Sequence, residues 1–510
     1  METHINKKLS RALISVYDKE PARGLVEALH AQNVEIISTG GTMQFIRDEL
    51  DIPVTPVEEL TTYPSILGGR VKTLHPAVFG GILCRPGFEA DDEALSEYHI
   101  QAIDMVVVDL YPFEKTMLSG AGHDELVEKI DIGGVSLIRA AAKNFRHVLV
   151  VPSSVYFEEV TKMVQENEAV ISPAVRRKMA AAAFDVSSHY DTAIFGYMNN
   201  GELDVFKESI QDTHPLRYGE NPHQQGCFYG KTEEIFEQVS GKALSYNNLL
   251  DVDAAMGLMA EYYAPTFAII KHTNPCGVAS RSSIDEAWRD ALAGDPVSAF
   301  GGILIANRDV SASLAEEISD LFFEVLIAPG FDEKGIEILT KKKNRILLRT
   351  KSFITPEIRY RSILNGVLWQ TQDHKNSLPD QWQMATVRHP SEEEERDLVF
   401  ANTIVKHLKS NAIALVKDTM LLGSGMGQTS RIDALKQAIE KAHSQGHDLK
   451  GAVMASDAFF PFPDSVEIAQ RHGIRAVIQP GGSVKDKASV DFCNESGMAM
   501  VFTGNRHFKH

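Results

Sequence analysis

The first third of the chain alternates short apolar runs with stretches of helical spacing. Continuous apolar runs predict buried strands at 12–16, 34–38, 105–110 and 148–151. Apolar positions recur at helical spacing over 21–31 and 43–48. Because strands that alternate with helices form βαβ units, this region predicts an α/β domain with a parallel sheet.

A polar segment at 199–215 marks the predicted domain boundary. It lacks strong periodicity and ends in His-Pro, so we expect one domain at 1–199 and a second at 200–510. The second region is also mixed α/β, with strands predicted at 267–270, 303–305, 412–416, 451–455 and 475–478 and helices at 433–443 and 464–472.

Composition limits the class of protein. The 510 residues carry a formal net charge of −18 and are 44% hydrophobic, which excludes general disorder and argues against a broad nucleic-acid surface. The sequence has no run of 18 apolar residues, and its N-terminal stretch lacks a signal-peptide core. Its four cysteines form no CxxC pair. We therefore expect a cytoplasmic protein with no membrane or nucleic-acid partner.

Two glycine-rich motifs are candidates for anion binding. The stretch 38–42, Ser-Thr-Gly-Gly-Thr, joins a predicted strand to a helix, and taken alone it fits a ligand-free turn slightly better than a phosphate loop. The stretch 68–76 places Arg70, Lys72 and Thr73 directly after two glycines. An acidic protein that concentrates cations beside Gly-Gly favours anion binding there.

Other polar residues follow predicted strands or open helices. Tyr111 comes just after the apolar run 105–110, where α/β folds place ligands. Asp131 opens a helical stretch, on which Lys143 lies four residues beyond Arg139 on the same face. By pattern alone these residues fit either a site or ordinary packing.

The second region carries its own candidate chemistry. The octet 217–224 is unusually dense in polar residues, and Lys271 and His272 follow the strand at 267–270. The reference pKa of histidine, ~6.5, suits proton transfer near neutral pH. Packing is the alternative for a lone histidine, but the strand-end turn shifts the balance towards chemistry.

Two further classes leave only partial traces. Zinc deaminases combine His-x-Glu with Pro-Cys-x-x-Cys, whereas here Cys276 follows a proline but Ala279 occupies the second cysteine position. We therefore expect no metal. The stretch 423–427 is a weak match to a dinucleotide fingerprint and by itself supports an oxidoreductase poorly. A nucleotide-binding regulatory protein would keep the glycine motifs but would not need Lys271 and His272.

Taken in order, the motifs resemble the family of bifunctional purine biosynthesis enzymes that joins AICAR transformylase to IMP cyclohydrolase. The resemblance covers nearly the whole chain. It is carried by SVYDK (15–19), STGGT (38–42), LGGRVKTLHP (67–76), LYPF (110–113), DIGG (131–134), RAAAKN (139–144), LRYGENPHQ (216–224), LSYNN (244–248), KHTNPCG (271–277), SAFGGI (298–303), IAPG (327–330), GMGQTSRID (425–433), SDAFFPF (456–462) and TGNRHFKH (503–510).

This resemblance implies a fold and two reactions. The N-terminal domain would be a methylglyoxal synthase-like parallel α/β domain that closes formyl-AICAR to IMP with loss of water. The C-terminal domain would consist of two cytidine-deaminase-like α/β lobes without zinc. It would transfer formyl from 10-formyltetrahydrofolate to AICAR, giving formyl-AICAR and tetrahydrofolate. The family works as a homodimer with the transformylase site at the subunit interface.

The resemblance also implies roles for individual residues. The catalytic positions would be Lys72, Tyr111, Asp131 and Lys143 for the cyclohydrolase and Lys271 and His272 for the transformylase. The substrate-binding positions would be Ser15, Lys19, Thr39, Arg70 and Thr73 in the first domain and Arg217, Tyr218, Gly302, Glu324, Asn411, Arg431, Phe459, Asp464 and Arg506 in the second.

The chain departs from the family pattern at two positions. Tyr17 stands where serine is frequent in SVSDK, and Thr429 stands where methionine is frequent in GQMSR. We expect neither side chain to touch a proposed catalytic group.

Overall fold

A computed structural model describes residues 6–510 and divides into two compact units, one running to Ile210 and the other spanning Gln211–His510. Among the described residues, no helix is long and apolar enough to cross a membrane. The predicted domain boundary after residue 199 coincides with the end of the helix Pro173–Asn199. The assignment of one reaction to each side of that boundary stays a prediction.

The first unit is a parallel α/β domain. Its strands are β1 (Lys7–Lys8), β2 (Arg11–Val16), β3 (Glu35–Ser38), β4 (Thr55–Pro56), β5 (Met105–Asp109), β6 (Leu149–Val151) and β7 (Val170–Ile171). Its helices are α1 (Arg23–Ala31), α2 (Gly40–Gln44), α3 (Val57–Thr61), α4 (Pro76–Leu83), α5 (Glu89–Glu97), α6 (Phe113–Leu118), α7 (His123–Glu128), α8 (Gly133–Lys143), α9 (Phe157–Glu166) and α10 (Pro173–Asn199).

The central sheet of this unit has the order β4-β3-β2-β5-β6, and its strands are all parallel. Helices cover both faces, so Leu13, Val107 and Val150 are fully buried in the middle strands. Burial on both faces explains why these strands read as continuous apolar runs. The predicted parallel sheet is confirmed.

The second unit is larger and mixes parallel with antiparallel strands. The strands are β8 (Thr213–Leu216), β9 (Gly226–Tyr229), β10 (Phe236–Ser240), β11 (Thr266–Lys271), β12 (Asn274–Ser280), β13 (Gly302–Ala306), β14 (Phe323–Ala328), β15 (Ile346–Thr350), β16 (Ile358–Ile363), β17 (Gly366–Thr371), β18 (Gln383–Met384), β19 (Ile413–Lys417), β20 (Met420–Gly425), β21 (Val453–Ser456), β22 (Ala476–Gln479) and β23 (Ala499–Phe502). The helices are α11 (Tyr246–Met259), α12 (Ile284–Gly294), α13 (Pro296–Ala299), α14 (Ala312–Ser319), α15 (Glu333–Leu339), α16 (Glu392–His407), α17 (Arg431–Ser444), α18 (Asp464–Arg471) and α19 (Asp486–Ser496).

The main sheet of the second unit is internally duplicated. Its order is β10-β15-β14-β13-β11-β12-β20-β19-β21-β22-β23-β18, and the second half repeats the pairing of the first half in reverse order. In each half, an antiparallel hairpin (β11–β12 or β19–β20) is followed by an antiparallel neighbour and then by two parallel neighbours. The duplicated α/β lobes implied by the family resemblance are therefore present.

The two lobes also repeat a close approach between a strand and a helix. A side chain at Gly277 on β12 would place its Cβ 2.0 Å from the Ala291 carbonyl oxygen of α12. At the matching Gly423 on β20, the Cβ would lie 2.3 Å from the Ala438 carbonyl oxygen of α17. Glycine at both positions lets each helix lie directly on its hairpin, because no Cβ fits there.

Candidate active sites

A cavity of about 650 Å³ opens at the carboxyl ends of the strands in the first unit. Parallel α/β folds place ligands at this edge, where loops lead from strands into helices. The lining includes Ser15, Tyr17, Lys19, Thr39, Gly41, Thr42, Gly68, Gly69, Arg70, Lys72, Thr73, Asp109, Tyr111, Glu128, Asp131, Gly133 and Gly134. The structure thus brings together the sequence motifs 15–19, 38–42, 67–76, 110–113 and 131–134.

The 38–42 motif is fastened to the neighbouring strand. The Thr42 hydroxyl donates to the Val16 carbonyl oxygen at 3.0 Å and accepts from the Val16 N–H at 3.2 Å. Gly40 has φ = +47°, so α2 begins in a left-handed turn that favours glycine. The helix therefore begins three residues earlier than the predicted 43–48, and it continues as a π-helical turn over Phe45–Glu49.

The side chain of Lys72 lies between the two glycine motifs. A Cβ at Gly69 would come within 2.8 Å of Lys72 Cε, and a Cβ at Gly40 would come within 3.1 Å of Lys72 Nζ. Gly69 also has φ = +93°. The absence of side chains at Gly40 and Gly69 therefore makes room for Lys72. Its ammonium group lies at the cavity wall, between the two glycine motifs.

Tyr111 is part of a small aromatic group. Its ring meets that of Tyr17 edge-on, with 5.5 Å between the centroids. The Lys129 ammonium lies 5.2 Å from the Tyr17 ring centroid and 5.8 Å from the Tyr111 centroid. The expectation that Tyr17 lies away from the proposed catalytic groups is therefore wrong. A serine in its place would lack the ring that contacts Tyr111.

Asp131 is a half-buried carboxylate at the start of α8. Its Oδ1 accepts from the Gly134 N–H at 2.7 Å, and its own N–H donates to the Tyr190 hydroxyl at 2.9 Å. Burial raises the pKa of Asp131 above the usual range of a carboxyl, against the opposing effect of hydrogen bonds from backbone N–H groups. Tyr190 also donates to the Lys129 carbonyl oxygen at 2.6 Å, which fixes the loop that carries Asp131.

Arg70 and Lys143 differ in their relation to the cavity. Arg70 lines the cavity and is paired with Glu128, although both side chains are largely exposed. Lys143 is the last residue of α8, ten residues beyond Gly133, and lies exposed outside the set of lining residues. Ten residues of α-helix span ~15 Å, which separates Lys143 from Asp131. A catalytic role for Lys143 stays a prediction.

In the second unit, most of the predicted site residues lie along one edge of the main sheet. The strand register places the end of β11 beside the start of β13, and the start of β13 beside the start of β14. It likewise places the start of β19 beside the ends of β20 and β21. The strand termini at this edge and the loops next to them carry Lys271, His272, Gly302, Glu324, Asn411, Arg431, Phe459, Asp464 and Arg506.

The first group at this edge surrounds the β11–β12 hairpin. Lys271 Nζ donates to the Phe300 carbonyl oxygen at 2.6 Å. His272 is exposed and has φ = +50°, which is uncommon for a residue with a side chain. The N–H of Thr273 donates to Asp251 Oδ1 at 2.6 Å. The hairpin therefore presents the His272 imidazole to solvent at the edge of the sheet.

The remaining predicted residues near this hairpin make different kinds of contact. Glu324 is paired with Lys242 at 2.8 Å. Gly302 is buried, and a Cβ there would meet the Ile270 carbonyl oxygen at 3.0 Å, so its glycine is explained by packing against β11. Arg217 lies in the loop after β8, with its guanidinium over the Tyr218 ring at 4.7 Å.

The second group at this edge is built on a buried ion pair. Arg431 donates to Asp457 Oδ1 at 2.8 Å and to Asn411 Oδ1 at 2.9 Å. Arg431 Nε and Asp457 Oδ2 are buried and have no hydrogen-bond partner within the described part of the chain. Buried polar atoms of this kind are expected to bind water or ligand. Phe459, two residues after Asp457, is exposed. Arg506 is also exposed, with its guanidinium over Phe508 at 4.3 Å, and it precedes His507, whose N–H donates to the Asp457 carbonyl oxygen at 2.9 Å.

Cys276 belongs to the incomplete zinc-deaminase motif, and its thiol is expected to stay protonated. Burial raises the pKa of Cys276 to about 12, and its Sγ lies 3.5 Å from the Ile269 carbonyl oxygen. A thiol with this pKa is a poor metal ligand near neutral pH, because metals bind the thiolate. Across residues 6–510, no group of three or more His, Cys, Asp or Glu side chains is arranged to hold a metal ion.

These features describe a two-unit α/β protein with a cavity lined by glycines and cations in one unit and a polar sheet edge in the other. A family model described as "AICARFT/IMPCHase bienzyme" matches residues 141–441, and one described as "MGS-like domain" matches residues 23–136. A solved structure named "Crystal structure of ForH" is 31% identical, with a TM-score of 0.32, and covers 36% of this chain and 94% of its own.

Curated relatives match along the full length. A Bacteroides thetaiotaomicron protein is 57% identical over 505 residues, covering 99% of each chain, and an Aquifex aeolicus protein is 45% identical over 511 residues, covering 98% of this chain and 100% of its own. Both are named "Bifunctional purine biosynthesis protein PurH". The chain belongs to the AICAR transformylase/IMP cyclohydrolase family. It is a bifunctional purine biosynthesis enzyme with formyltransferase and cyclohydrolase activities.

The glycines around Lys72 give a test of the cavity. We expect Gly69→Ala to lower cyclohydrolase kcat/KM by about 10- to 100-fold, because the new Cβ displaces Lys72, a predicted catalytic residue, and small misplacements of such a group are costly. Gly68→Ala is the matched control, since Gly68 has φ = +65° but a Cβ there would meet nothing within 4 Å. Steady-state kinetics with formyl-AICAR measures both variants. Equal losses would show that backbone strain, and not the position of Lys72, controls activity.

Proposed function

We propose that the cavity of the first unit is the cyclohydrolase site. In the reaction, the carboxamide nitrogen of formyl-AICAR attacks the formyl carbon, and the formyl oxygen leaves as water. Lys72 and Tyr111 would stabilise the oxyanion that forms during attack. The observation that carries this proposal is the position of the Lys72 ammonium at the cavity wall between two glycine motifs. Ser15, Lys19, Thr39, Arg70 and Thr73 would hold the phosphate and ribose.

The strand-end edge of the second unit is the proposed transformylase site. The 5-amino nitrogen of AICAR attacks the formyl carbon of 10-formyltetrahydrofolate, and His272 accepts the amine proton. Lys271 would donate a proton to the folate nitrogen as it leaves, or would stabilise the tetrahedral oxyanion. The exposed imidazole at a hairpin tip supports this assignment. The mechanism gives no metal a role, and the protonated Cys276 thiol fits that choice.

Residues on neighbouring strands would bind the substrates of the transformylase. Arg217 and Arg506 carry exposed guanidinium groups suited to the phosphate or the carboxamide of AICAR. Asn411 and Arg431 form a polar pair in which Arg431 Nε has no hydrogen-bond partner among residues 6–510, and Phe459 offers an exposed ring to a heterocycle. The further proposed contacts are Tyr218, Gly302, Glu324 and Asp464. The scattered cysteines and the absence of a spanning helix within residues 6–510 fit the proposed cytoplasmic location.

We further propose a homodimer in which each transformylase site is shared between subunits. Within one chain, β11 and β21 are four strand positions apart, and β11 and β23 are six apart. At ~4.8 Å per strand, His272 and Phe459 would be separated by ~19 Å, and His272 and Arg506 by ~29 Å. These separations exceed the length of AICAR. A second copy would bring the partner's Phe459 and the partner's Arg506 to His272.

An exposed hairpin supplies a surface for such a partner. The β16–β17 hairpin carries Leu364, which is fully exposed, and Trp369, which is 56% exposed. Exposed apolar groups of this kind commonly mark an interface with another protein.

Mixed dimers test the shared site. We expect His272→Ala and Arg506→Ala chains each to have little formyl transfer, and a 1:1 mixture after subunit exchange to regain about one quarter of wild-type activity, because half of the dimers are mixed and each has one intact site. The matched control mixes His272→Ala with Lys271→Ala, which lie in the same group and should not complement. Absence of regained activity in the first mixture, with subunit exchange shown by mass spectrometry, would place each site within one chain.

Separate sites also predict separable reactions. His272→Ala should lower formyl transfer by about 10²- to 10⁴-fold, the usual effect of a lost general base, while cyclisation of supplied formyl-AICAR stays near wild type. Lys72→Ala should do the reverse, so that formyl-AICAR accumulates. The measurement is each half-reaction in each variant, with circular dichroism to confirm folding. A folded variant that loses both activities equally would refute the two-site assignment.

A further inference from the structure

Two hairpin tips occupy equivalent positions in the two lobes of the second unit. Lys271, His272 and Thr273 join β11 to β12, and Lys417, Asp418 and Thr419 join β19 to β20. In both tips the two residues after the lysine have left-handed backbone, with φ = +50° and +64° in the first and +51° at both positions in the second. Neither tip contains the Asn-Gly or Gly-Gly pair that usually occupies such a turn.

The two lysines are held in the same way. Lys271 Nζ donates to the Phe300 carbonyl oxygen at 2.6 Å, and Lys417 Nζ donates to the Lys450 carbonyl oxygen at 3.0 Å. Each carbonyl is followed by a left-handed glycine, Gly301 with φ = +69° and Gly451 with φ = +82°. The equivalence of the hairpins therefore extends to their side-chain contacts.

Each tip is also held by an aspartate from a packed helix, half-buried in the case of Asp251 and buried in the case of Asp397. Asp251 Oδ1 on α11 accepts from the Thr273 N–H at 2.6 Å. Asp397 on α16 accepts from the Thr419 N–H at 2.6 Å and from the Asp418 N–H at 2.8 Å. Both aspartates come six residues after the serine that caps their helix, Ser245 in α11 and Ser391 in α16.

The chemical difference between the tips is the residue after the lysine, which is His272 in one and Asp418 in the other. We propose that Asp251 is a positioning residue for formyl transfer, whose carboxylate holds the β11–β12 tip so that the His272 imidazole meets the AICAR amine. This inference rests on the proposed function of His272. Two consecutive left-handed residues with side chains are an unfavourable backbone conformation, so a strong hydrogen bond is needed to keep the tip in one conformation.

The second hairpin supplies a matched control within the same chain. Asp251→Ala removes one backbone hydrogen bond from its tip and Asp397→Ala removes two from the equivalent tip, so we expect Asp397→Ala to lose at least as much thermal stability as Asp251→Ala. Asp251→Asn keeps an oxygen that can accept from the Thr273 N–H. The experiment measures kcat and KM of the full-length enzyme with AICAR and 10-formyltetrahydrofolate, together with melting temperature. Cyclisation of formyl-AICAR in the same samples reports on the other unit.

We expect Asp251→Ala to lower the kcat of formyl transfer by about 10- to 100-fold with the KM for AICAR changed less than about 3-fold, since a misplaced base slows chemistry more than binding. Asp251→Asn should recover most of the loss. Asp397→Ala and the cyclohydrolase activity of every variant should stay near wild type. Wild-type kcat in Asp251→Ala, or equal losses in Asp251→Ala and Asp397→Ala, would overturn the inference.

A parallel measurement separates the inference from the function on which it rests. If His272→Ala retains formyl transfer, the proposed base is wrong and Asp251 has nothing to position. If His272→Ala abolishes transfer while Asp251→Ala does not, the base stands and only the positioning role fails.

Discussion

The arrangement of the second unit depends on the junction where its two lobes meet, between β12 and β20. Ala279 pairs with Met420, and beside this pair the Ser280 N–H donates to the Thr419 carbonyl oxygen at 3.0 Å while the Thr419 hydroxyl donates to the Ser280 carbonyl oxygen at 3.0 Å. This antiparallel junction makes one continuous sheet from two lobes. As a result, the end of β11 in one lobe and the start of β19 in the other face the same edge, which carries the proposed transformylase residues.

The first unit brings its motifs to one edge of the sheet with parallel strands and glycine-rich loops. Its strands all end at one edge, so motifs far apart in sequence meet there without a second lobe. The close approach of Lys72 to Gly40 and Gly69 then decides which residue types fit the cavity wall. The two candidate sites therefore differ in construction, and each unit has its own buried core.

Much of this could be predicted from the sequence, for identifiable reasons. Parallel strands buried on both faces appear in the sequence as continuous apolar runs, so the sheet of the first unit could be predicted. Glycines next to cations are typical of anion-binding loops, so the Lys72 motif could be singled out as well. The contact between Tyr17 and Tyr111 was not, because nothing in the 15–19 stretch reports on a ring 94 residues away in sequence. Asp251 likewise lies in no local motif that would single it out. Its role is inferred from its equivalence with Asp397, and that equivalence is seen only in the duplicated fold. The exposed position of Lys143 at the far end of α8 also follows only from the fold.

We assign the two reactions to two separate places, the Lys72 cavity and the His272 edge. A crystal structure of the enzyme with AICAR and IMP bound would test this assignment. We expect IMP in the cavity of the first unit beside Lys72 and Tyr111, and AICAR at the strand-end edge of the second unit with its 5-amino group within hydrogen-bond distance of His272. Both ligands in the first cavity, with the His272 edge empty at saturating AICAR, would contradict it.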